Sequence, residues 1–453
     1  MCFELMLRPL ARCRVSALRL LQCSAGLVLV LVLPALAQPA RVQPQVYLEP
    51  FYRHTSRLVP GGKPVGTVLA SEPAESTVPG SKAWRIAYVS SDPAGRSTVV
   101  TGLVAVPEGP VPAGGRPVVA WAHGTTGTAQ RCGPSQLPQP AQPLNQYLLP
   151  SGTSYSDFGL PAMEAFLRRG YVIVATDYQG LGGPGQHQYA QPNSNGRDVI
   201  DAIRAVQDFQ PARASARAVV YGWSQGGGAT LGAAGLRRYV AAPNAVAPIS
   251  ILGFVAMAPQ DLGVQIPKGL NSESQARDAI AALNVQMGGN VFNFSHLAMF
   301  YWGLAAAQPG LTLTDLFTPE AAVQINSMME RKCMHELSAT LSYSHGTNYR
   351  AMLKSQPSQA LAWVKAIEAL SPGLKPMAPV VIYWGNNDTM VPPIMHQLYY
   401  EAACQQGAVV SRHQLPGNQT HFSTPAASEP FYVAWVADRF AGRPVADGCG
   451  ALP

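Results

Sequence analysis

One serine in this chain stands in a setting that could make it a nucleophile. Ser224 is the central residue of a Gly-x-Ser-x-Gly pattern that runs from Gly222 to Gly226. An apolar stretch precedes it and the alanine- and leucine-rich segment 229–240 follows it, which predicts a strand, a sharp turn and a helix. Small residues suit a strained turn, and the helix start directs N–H groups at an oxyanion beside the serine. A chance match is the alternative, because the chain holds 42 glycines.

A serine hydroxyl needs a base to remove its proton, and a late histidine is the candidate. His421 lies in a loop after the strand-like segment 409–415, whereas His396 falls in a predicted helix and His413 in a strand. A loop at the end of a strand is where a catalytic base can reach a serine on a neighbouring turn. The sequence therefore predicts His421 as the general base for Ser224.

The base in turn needs a carboxylate that holds its ring and stabilises its charged form. Asp388 follows the apolar segment 380–384, and it gives the chain order Ser, Asp, His that is typical of α/β-hydrolases. Asp261 and Asp315 are the rival carboxylates. The alternative role for Asp388 is to cap the helix predicted to begin near Pro393.

Two turns carry candidate N–H donors for an oxyanion. The first donor is the backbone of Gln225, directly after the serine. The second lies in a histidine–glycine turn after the buried-type strand 118–122, where the backbone of Thr125 or Thr126 would supply it. We expect no catalytic role for the imidazole of His123 in this turn, and simple packing in the loop is the alternative for that side chain.

The elements that must position these residues alternate along the chain. Apolar runs without polar alternation predict strands that are buried on both faces, with helices between them. The predicted strands are 84–90, 99–106, 118–122, 171–176, 219–221, 251–258, 380–384 and 409–415, and the core helices include 161–169, 196–209, 229–240 and 428–440. The fold class is α/β: a mostly parallel sheet flanked by helices, in which residues 83–259 and 380–453 form two parts of one core.

The strand pattern stops between residues 260 and 379. This interval predicts helices at 274–287, 295–307, 319–341 and 358–370, which we interpret as a helical cap inserted over the active face. Residues 292–304 are rich in Phe, Met, Tyr and Trp. They would suit an acyl-binding wall or, as the alternative, the core of the cap itself.

The N-terminus predicts export. Residues 1–37 combine four arginines, a short apolar run and a small-residue cleavage site, which is the layout of a signal peptide. The apolar run is too short for an uncleaved anchor, and no later stretch could span a membrane. The mature protein is therefore expected to be secreted or periplasmic, with an extended leader at 38–82. The formal charge of +7 falls to +4 without the signal, which gives no case for nucleic acid.

Four cysteines remain after the signal: Cys132, Cys333, Cys404 and Cys449. In an exported protein they predict two disulfides, and the spacing leaves three pairings open. No cysteine or histidine spacing predicts a metal site, and we expect no cofactor. A glycine pattern at 180–185 resembles a dinucleotide fingerprint, but residues 187–195 indicate a loop where that fingerprint needs a helix.

Together these stretches resemble the secretory lipase family of capped α/β-hydrolases. The resemblance is carried by ordered segments that cover nearly the whole mature chain. They are Pro50-Phe51-Tyr52, Gly66-Thr67-Val68-Leu69, His123-Gly124-Thr125-Thr126-Gly127, Arg131-Cys132-Gly133-Pro134-Ser135, Asp177-Tyr178-Gln179-Gly180-Leu181-Gly182, the segment 196–205 and Trp223-Ser224-Gln225-Gly226-Gly227. The chain departs from the family pattern at Trp223, where tyrosine is frequent, and at Gly133, where alanine is usual.

The resemblance implies a carboxylic ester hydrolase or lipase that acts on acylglycerols or simpler esters without a cofactor. It also implies the pairings Cys132 with Cys333 and Cys404 with Cys449. The expected partner is an ester or lipid substrate, with a lipid interface as one possible setting. Two other functions fit the same residues: an exported serine peptidase or amidase of the same fold, and a non-catalytic protein that binds a lipid or a cell-wall component.

Overall fold

A nine-stranded sheet forms the centre of the computed structural model, which describes residues 49–242 and 244–451. Its spatial order is β1-β2-β3-β5-β4-β6-β7-β8-β9. The pairs from β5 to β9 are parallel, and β1, β2, β3 and β5 pair antiparallel at one side. The strands are β1 Val68–Ala74, β2 Ser81–Ser91, β3 Ser97–Pro107, β4 Arg116–Ala122, β5 Val172–Thr176, β6 Ala214–Trp223, β7 Ser250–Met257, β8 Val380–Trp384 and β9 Val410–Gln414.

Helices cover both faces of the sheet, which explains the continuous apolar runs of its strands. In β4, Val118 and Ala120 enter one hydrophobic core while Val119 and Trp121 enter the other. Because successive side chains of a strand point to opposite faces, a strand covered on both sides needs apolar residues at every position. The helices are α1 Pro50–Thr55, α2 Met163–Arg168, α3 Pro192–Asp208, α4 Gln225–Gly235, α5 Arg237–Val240, α6 Glu273–Met287, α7 Val291–Ala307, α8 Pro319–Met329, α9 Met334–His345, α10 Ala360–Glu368, α11 Pro393–Gln405 and α12 Thr424–Phe440.

The interval between β7 and β8 contains helices α6 to α10 and no strand. We call residues 260–379 the helical segment. Its helices bury a hydrophobic core of their own, built around α7. That core also takes in Tyr189 from the sheet side and Met395 from α11, so the helical segment packs on the α/β core.

Several parts of the chain differ from the sequence prediction, among them the segment 229–240, which is divided between α4 and α5. The leader is more ordered than expected, because residues 68–74 form strand β1 along β2. The loop predicted at 187–195 is wrong in its last part, because α3 begins at Pro192, and proline suits the first turn of a helix. The single helix predicted at 319–341 is two helices, α8 and α9, which are separated before Met334.

Both disulfides implied by the family resemblance are present, Cys132–Cys333 and Cys404–Cys449, with Cα–Cα distances of 5.5 and 5.4 Å. The predicted signal peptide 1–37 and the first residues of the leader lie outside the described residues. Within the described part of the chain, no helix is both long and apolar enough to cross a membrane.

Candidate active site

The turn between β6 and α4 presents Ser224 at its apex. The serine has φ 60° and ψ −121°, a conformation that non-glycine residues rarely adopt and that costs roughly 1–3 kcal/mol. Close packing holds the turn: a Cβ on Gly226 would lie 1.9 Å from the carbonyl oxygen of Ala122, and one on Gly222 would lie 2.3 Å from the carbonyl oxygen of Gly226. Glycine is therefore required at both positions, and the hydroxyl stands free of bulky neighbours in the turn.

One histidine connects this serine to a carboxylate. Ser224 Oγ and His421 Nε2 are 2.9 Å apart, and His421 Nδ1 is 2.8 Å from Asp388 Oδ2. A carboxylate can only accept, so the proton lies on Nδ1 and leaves Nε2 to accept the serine hydroxyl proton. All three side chains are buried.

The carboxylate and the imidazole are themselves fixed. Asp388 Oδ1 accepts the backbone N–H groups of Met390 and Val391 at 2.9 and 2.8 Å. The indole N–H of Trp223 donates to the carbonyl oxygen of His421 at 3.1 Å, and the two rings lie 4.9 Å apart. The imidazole is thus held from two sides.

The rival carboxylates have other partners. Asp261 Oδ1 accepts the N–H of Gly263 near the start of the helical segment. Asp315 lies inside that segment, where it accepts from Trp363 and Gln359. The structure therefore brings Asp388, and neither rival, into contact with His421.

The two expected oxyanion turns both meet at the serine, but Thr125 and Thr126 differ. Gln225 is the first residue of α4, so its N–H belongs to the turn that has no acceptor within the helix. Thr125 lines the cavity beside Ser224. Thr126 is buried and does not line that cavity, and its carbonyl accepts from Met334 and from Ser156, which ties the turn to α9 and to a neighbouring loop.

Neutral histidines support the turns around the serine. Burial lowers the pKa of His123 to about 4, and its Nδ1 donates to the carbonyl oxygen of Gly124 at 2.6 Å. Burial also lowers the pKa of His187 to about 3. Its Nδ1 donates to Gln179, so its Nε2 accepts from the side chain of Gln225 at 3.2 Å and holds that residue in place.

The cavity beside Ser224 is small, with a free volume of about 30 Å³. This is room for one or two water molecules and not for an ester. Apolar and polar side chains line the cavity in equal numbers. The apolar residues are Trp223, Met287, Phe292, Met334, Met390, Val391 and Phe422, and the polar ones besides Ser224 and His421 are Thr125, Tyr147, Asp157, Gln260 and His296.

A model of the secretory lipase family matches residues 149–261 and 318–448, which is more than half of the chain. The chain belongs to the secretory lipase family. It is 22% identical to Lipase 6 of Candida albicans over 381 residues, covering 81% of this chain and 74% of the relative. It is 25% identical to a secreted triacylglycerol lipase of Malassezia globosa over 409 residues, covering 85% and 80%.

Solved structures show the same fold. Candida antarctica lipase A in its closed state superposes with a TM-score of 0.67 at 16% identity, covering 91% of this chain and 90% of that one. The rice cell wall degrading esterase LipA from Xanthomonas oryzae gives 0.60 at 16% identity, covering 84% and 100%. The predicted α/β-hydrolase fold, the secreted location and the assignment as a carboxylic ester hydrolase are confirmed.

The sequence did not predict every residue that lines the cavity. Asp157 stands in a loop without a motif, and no signal in the sequence marks it. His296 lies within the aromatic stretch 292–304, for which an acyl-binding wall and a plain core were both open. The structure divides that stretch: Phe292 and His296 face the cavity, and Phe300 and Leu304 lie in the core of the helical segment.

The disulfide at Cys333 lies close to this cavity. It joins Cys333, just before α9, to Cys132, which follows Thr126 by six residues. Met334 comes directly after Cys333 and lines the cavity. Glu336 accepts the N–H of Cys333 at 3.0 Å and pairs with Arg131. The helical segment is therefore anchored to the α/β core beside the serine.

Proposed function

We propose that this secreted ester hydrolase cleaves acylglycerols or simpler carboxylic esters through an acyl-enzyme intermediate on Ser224. The observation that carries the proposal is the position of His421 between two partners, with Ser224 Oγ at 2.9 Å from one ring nitrogen and Asp388 Oδ2 at 2.8 Å from the other. This arrangement lets the imidazole take the serine proton while the carboxylate stabilises the resulting charge.

The first half of the reaction forms the acyl-enzyme. Ser224 Oγ attacks the ester carbonyl carbon and its proton passes to His421 Nε2. The backbone N–H groups of Gln225 and Thr125 stabilise the oxyanion of the tetrahedral intermediate. We favour Thr125 over Thr126 for this role because Thr125 lines the cavity. The bond to the alcohol oxygen then breaks, and the alcohol leaves with the proton from His421.

The second half releases the acid. Water attacks the acyl carbon and gives its proton to His421 Nε2, and the same N–H groups hold the second oxyanion. The intermediate collapses to the carboxylic acid, and Ser224 recovers its proton. Asp388 keeps the ring orientation through both halves and does not itself take the proton.

The decisive test is turnover of p-nitrophenyl butyrate by the purified mature chain and two variants. Ser224→Ala should lower kcat by about 10⁴-fold or more while the folded state persists, as judged by circular dichroism. Ser97→Ala is the matched control, because this serine is exposed at the start of β3, and it should retain full activity. Normal turnover by folded Ser224→Ala protein would refute the assignment.

We also propose that the helical segment is a cap that opens at a lipid interface. The cavity volume of about 30 Å³ cannot admit an ester, and helices α6 and α7 of the segment contribute Met287 and Phe292 to its walls. Displacing these apolar side chains into water would be unfavourable, but a lipid surface could receive them. Rates on tributyrin should then rise steeply once the substrate exceeds its solubility, and a simple hyperbolic dependence through that point would argue against opening at an interface.

A further inference from the structure

Asp157 lines the cavity with a carboxylate that has one oxygen without a protein partner. The residue is 5% exposed and lines the same cavity as Ser224. Its Oδ1 accepts the backbone N–H of Tyr147 at 3.0 Å. Within residues 49–242 and 244–451, its Oδ2 has no hydrogen-bond partner and no cation faces the carboxylate. Such an oxygen is largely desolvated and has no protein partner, so a hydrogen-bond donor that enters the cavity would stabilise it.

The loop that carries Asp157 belongs to the α/β core and not to the helical segment. The neighbouring Ser156 donates to the carbonyl oxygen of Thr126 at 3.5 Å, and Phe158 pairs with Asn145 across the base of the loop. These contacts tie the carboxylate to the proposed oxyanion turn. Asp157 should therefore stay beside Ser224 when the helical segment moves.

A second acceptor faces the cavity from the helical segment. His296 Nδ1 donates to the carbonyl oxygen of Phe292 at 2.9 Å, which leaves Nε2 as an acceptor. Burial lowers the pKa of His296 to about 4, and the nearby His421 lowers it further, so the ring is neutral. His296 and His421 line the same cavity and are close enough for their charges to interact.

We infer that the cavity binds free hydroxyl groups on the alcohol portion of the ester, with one hydroxyl donating to Asp157 Oδ2 and a second, where the alcohol carries one, donating to His296 Nε2. Partial acylglycerols and other esters of polyhydric alcohols are the corresponding substrate class. A hydroxyl fits better than an ammonium group, because one of the two acceptors is an uncharged imidazole among methionine and phenylalanine side chains. This inference rests on the proposed cleavage of esters at Ser224.

The test compares three butyrate esters of similar size: 2,3-dihydroxypropyl, 2,3-dimethoxypropyl and propyl. Rates are followed by titration of the released acid. Rates are compared at about pH 8.5, where a carboxyl group with a pKa of about 7 is ionised. A hydrogen bond to this charged acceptor then favours the hydroxylated ester by about tenfold or more in kcat/KM. The methoxy groups can accept but cannot donate, so the dimethoxy ester should show no such advantage. Equal kcat/KM for the dihydroxy and dimethoxy esters would overturn the inference.

Two variants locate the effect. Asp157→Asn keeps an oxygen for the Tyr147 N–H but replaces the free acceptor with a donor, so the ratio of dihydroxy to dimethoxy kcat/KM should fall by about tenfold. Asp261→Asn is the matched control, a buried carboxylate outside the cavity wall, and it should leave the ratio unchanged. A ratio that survives Asp157→Asn, or that falls equally in both variants, would overturn the assignment. Loss of p-nitrophenyl butyrate turnover in Ser224→Ala tests the proposed function separately.

Discussion

Removing the Cys132–Cys333 disulfide should destabilise the protein more than removing the Cys404–Cys449 disulfide. The bridge closes a loop of 201 residues, whereas Cys404–Cys449 closes a loop of 45. Loop-closure entropy in the unfolded chain then gives about 5 kcal/mol of stabilisation for the first bridge and about 4 kcal/mol for the second. The two loops share no residues, so the contributions should add.

Local contacts in the folded protein reinforce this order. Cys333 lies in the break between α8 and α9. It is fully buried, and it forms an isolated β-bridge with Gly127. Cys449 lies near the C-terminus, where a local opening of the tail could relieve part of the loss. We therefore expect the two losses in the free energy of unfolding to differ by more than the entropic difference of about 1 kcal/mol.

The assay is urea unfolding of the non-reduced protein, followed by tryptophan fluorescence. Two double variants are compared with the wild type: Cys132→Ser with Cys333→Ser, and Cys404→Ser with Cys449→Ser. The free energy of unfolding should fall more in the first variant, with similar denaturant slopes. If the first variant loses less than about 1 kcal/mol, or less than the second, the loop-closure reasoning is refuted.

Three further perturbations test the turn, the carboxylate and the buried histidine. Asp388→Asn should lower kcat on p-nitrophenyl butyrate by about 10⁴-fold, while Asp315→Asn retains activity, and equal losses would contradict the assignment of the carboxylate. Gly226→Ala places a Cβ 1.9 Å from a β4 carbonyl oxygen, so this variant should yield no soluble, active protein. Gly289→Ala is its control, because the nearest atom to the added Cβ is 3.9 Å away, and this variant should keep the wild-type Tm. Burial lowers the pKa of His123 from 6.5 to about 4, so its ring is neutral in the folded protein. Below pH 6.5 the unfolded chain binds a proton at this histidine and the folded protein does not. The free energy of unfolding should therefore fall by about 3 kcal/mol as the pH falls from 6.5 to 4. His123→Asn should flatten this part of the urea-unfolding profile, and an unchanged acid slope would contradict it.

The sheet could be predicted because its strands are buried on both faces. Runs such as 118–122 and 380–384 contain only apolar residues, so they contrast clearly with the loops around them, and β8 has the predicted bounds. Helix ends were harder to place. Residues 192–195 have polar or loop-forming side chains, and only packing of α3 against α4 and the sheet commits them to the helix.

Long-range constraints account for other differences. The break between α8 and α9 lies at Cys333, whose bond to Cys132 holds the start of α9 near the proposed oxyanion turn. Spacing alone left three cysteine pairings open, and a helical pattern continues across the break. The strand β1 likewise depends on an available edge of β2, which the leader sequence does not encode by itself.

The candidate catalytic residues can be recognised from the sequence, but the proposed substrate contacts cannot. Ser224, Asp388 and His421 each follow a strand at the same edge of the sheet, so chain order and topology place them together. Asp157 has no such rule. It lies in an irregular loop, and burial without a neighbouring cation raises the pKa of its carboxyl to about 7. Such a group weakens the folded state at neutral pH, because the unfolded chain ionises it more readily. A ligand hydroxyl that binds the carboxylate would offset this cost. The proposed preference for hydroxylated esters therefore rests on the structure, and the Gly-x-Ser-x-Gly motif alone could not have suggested it.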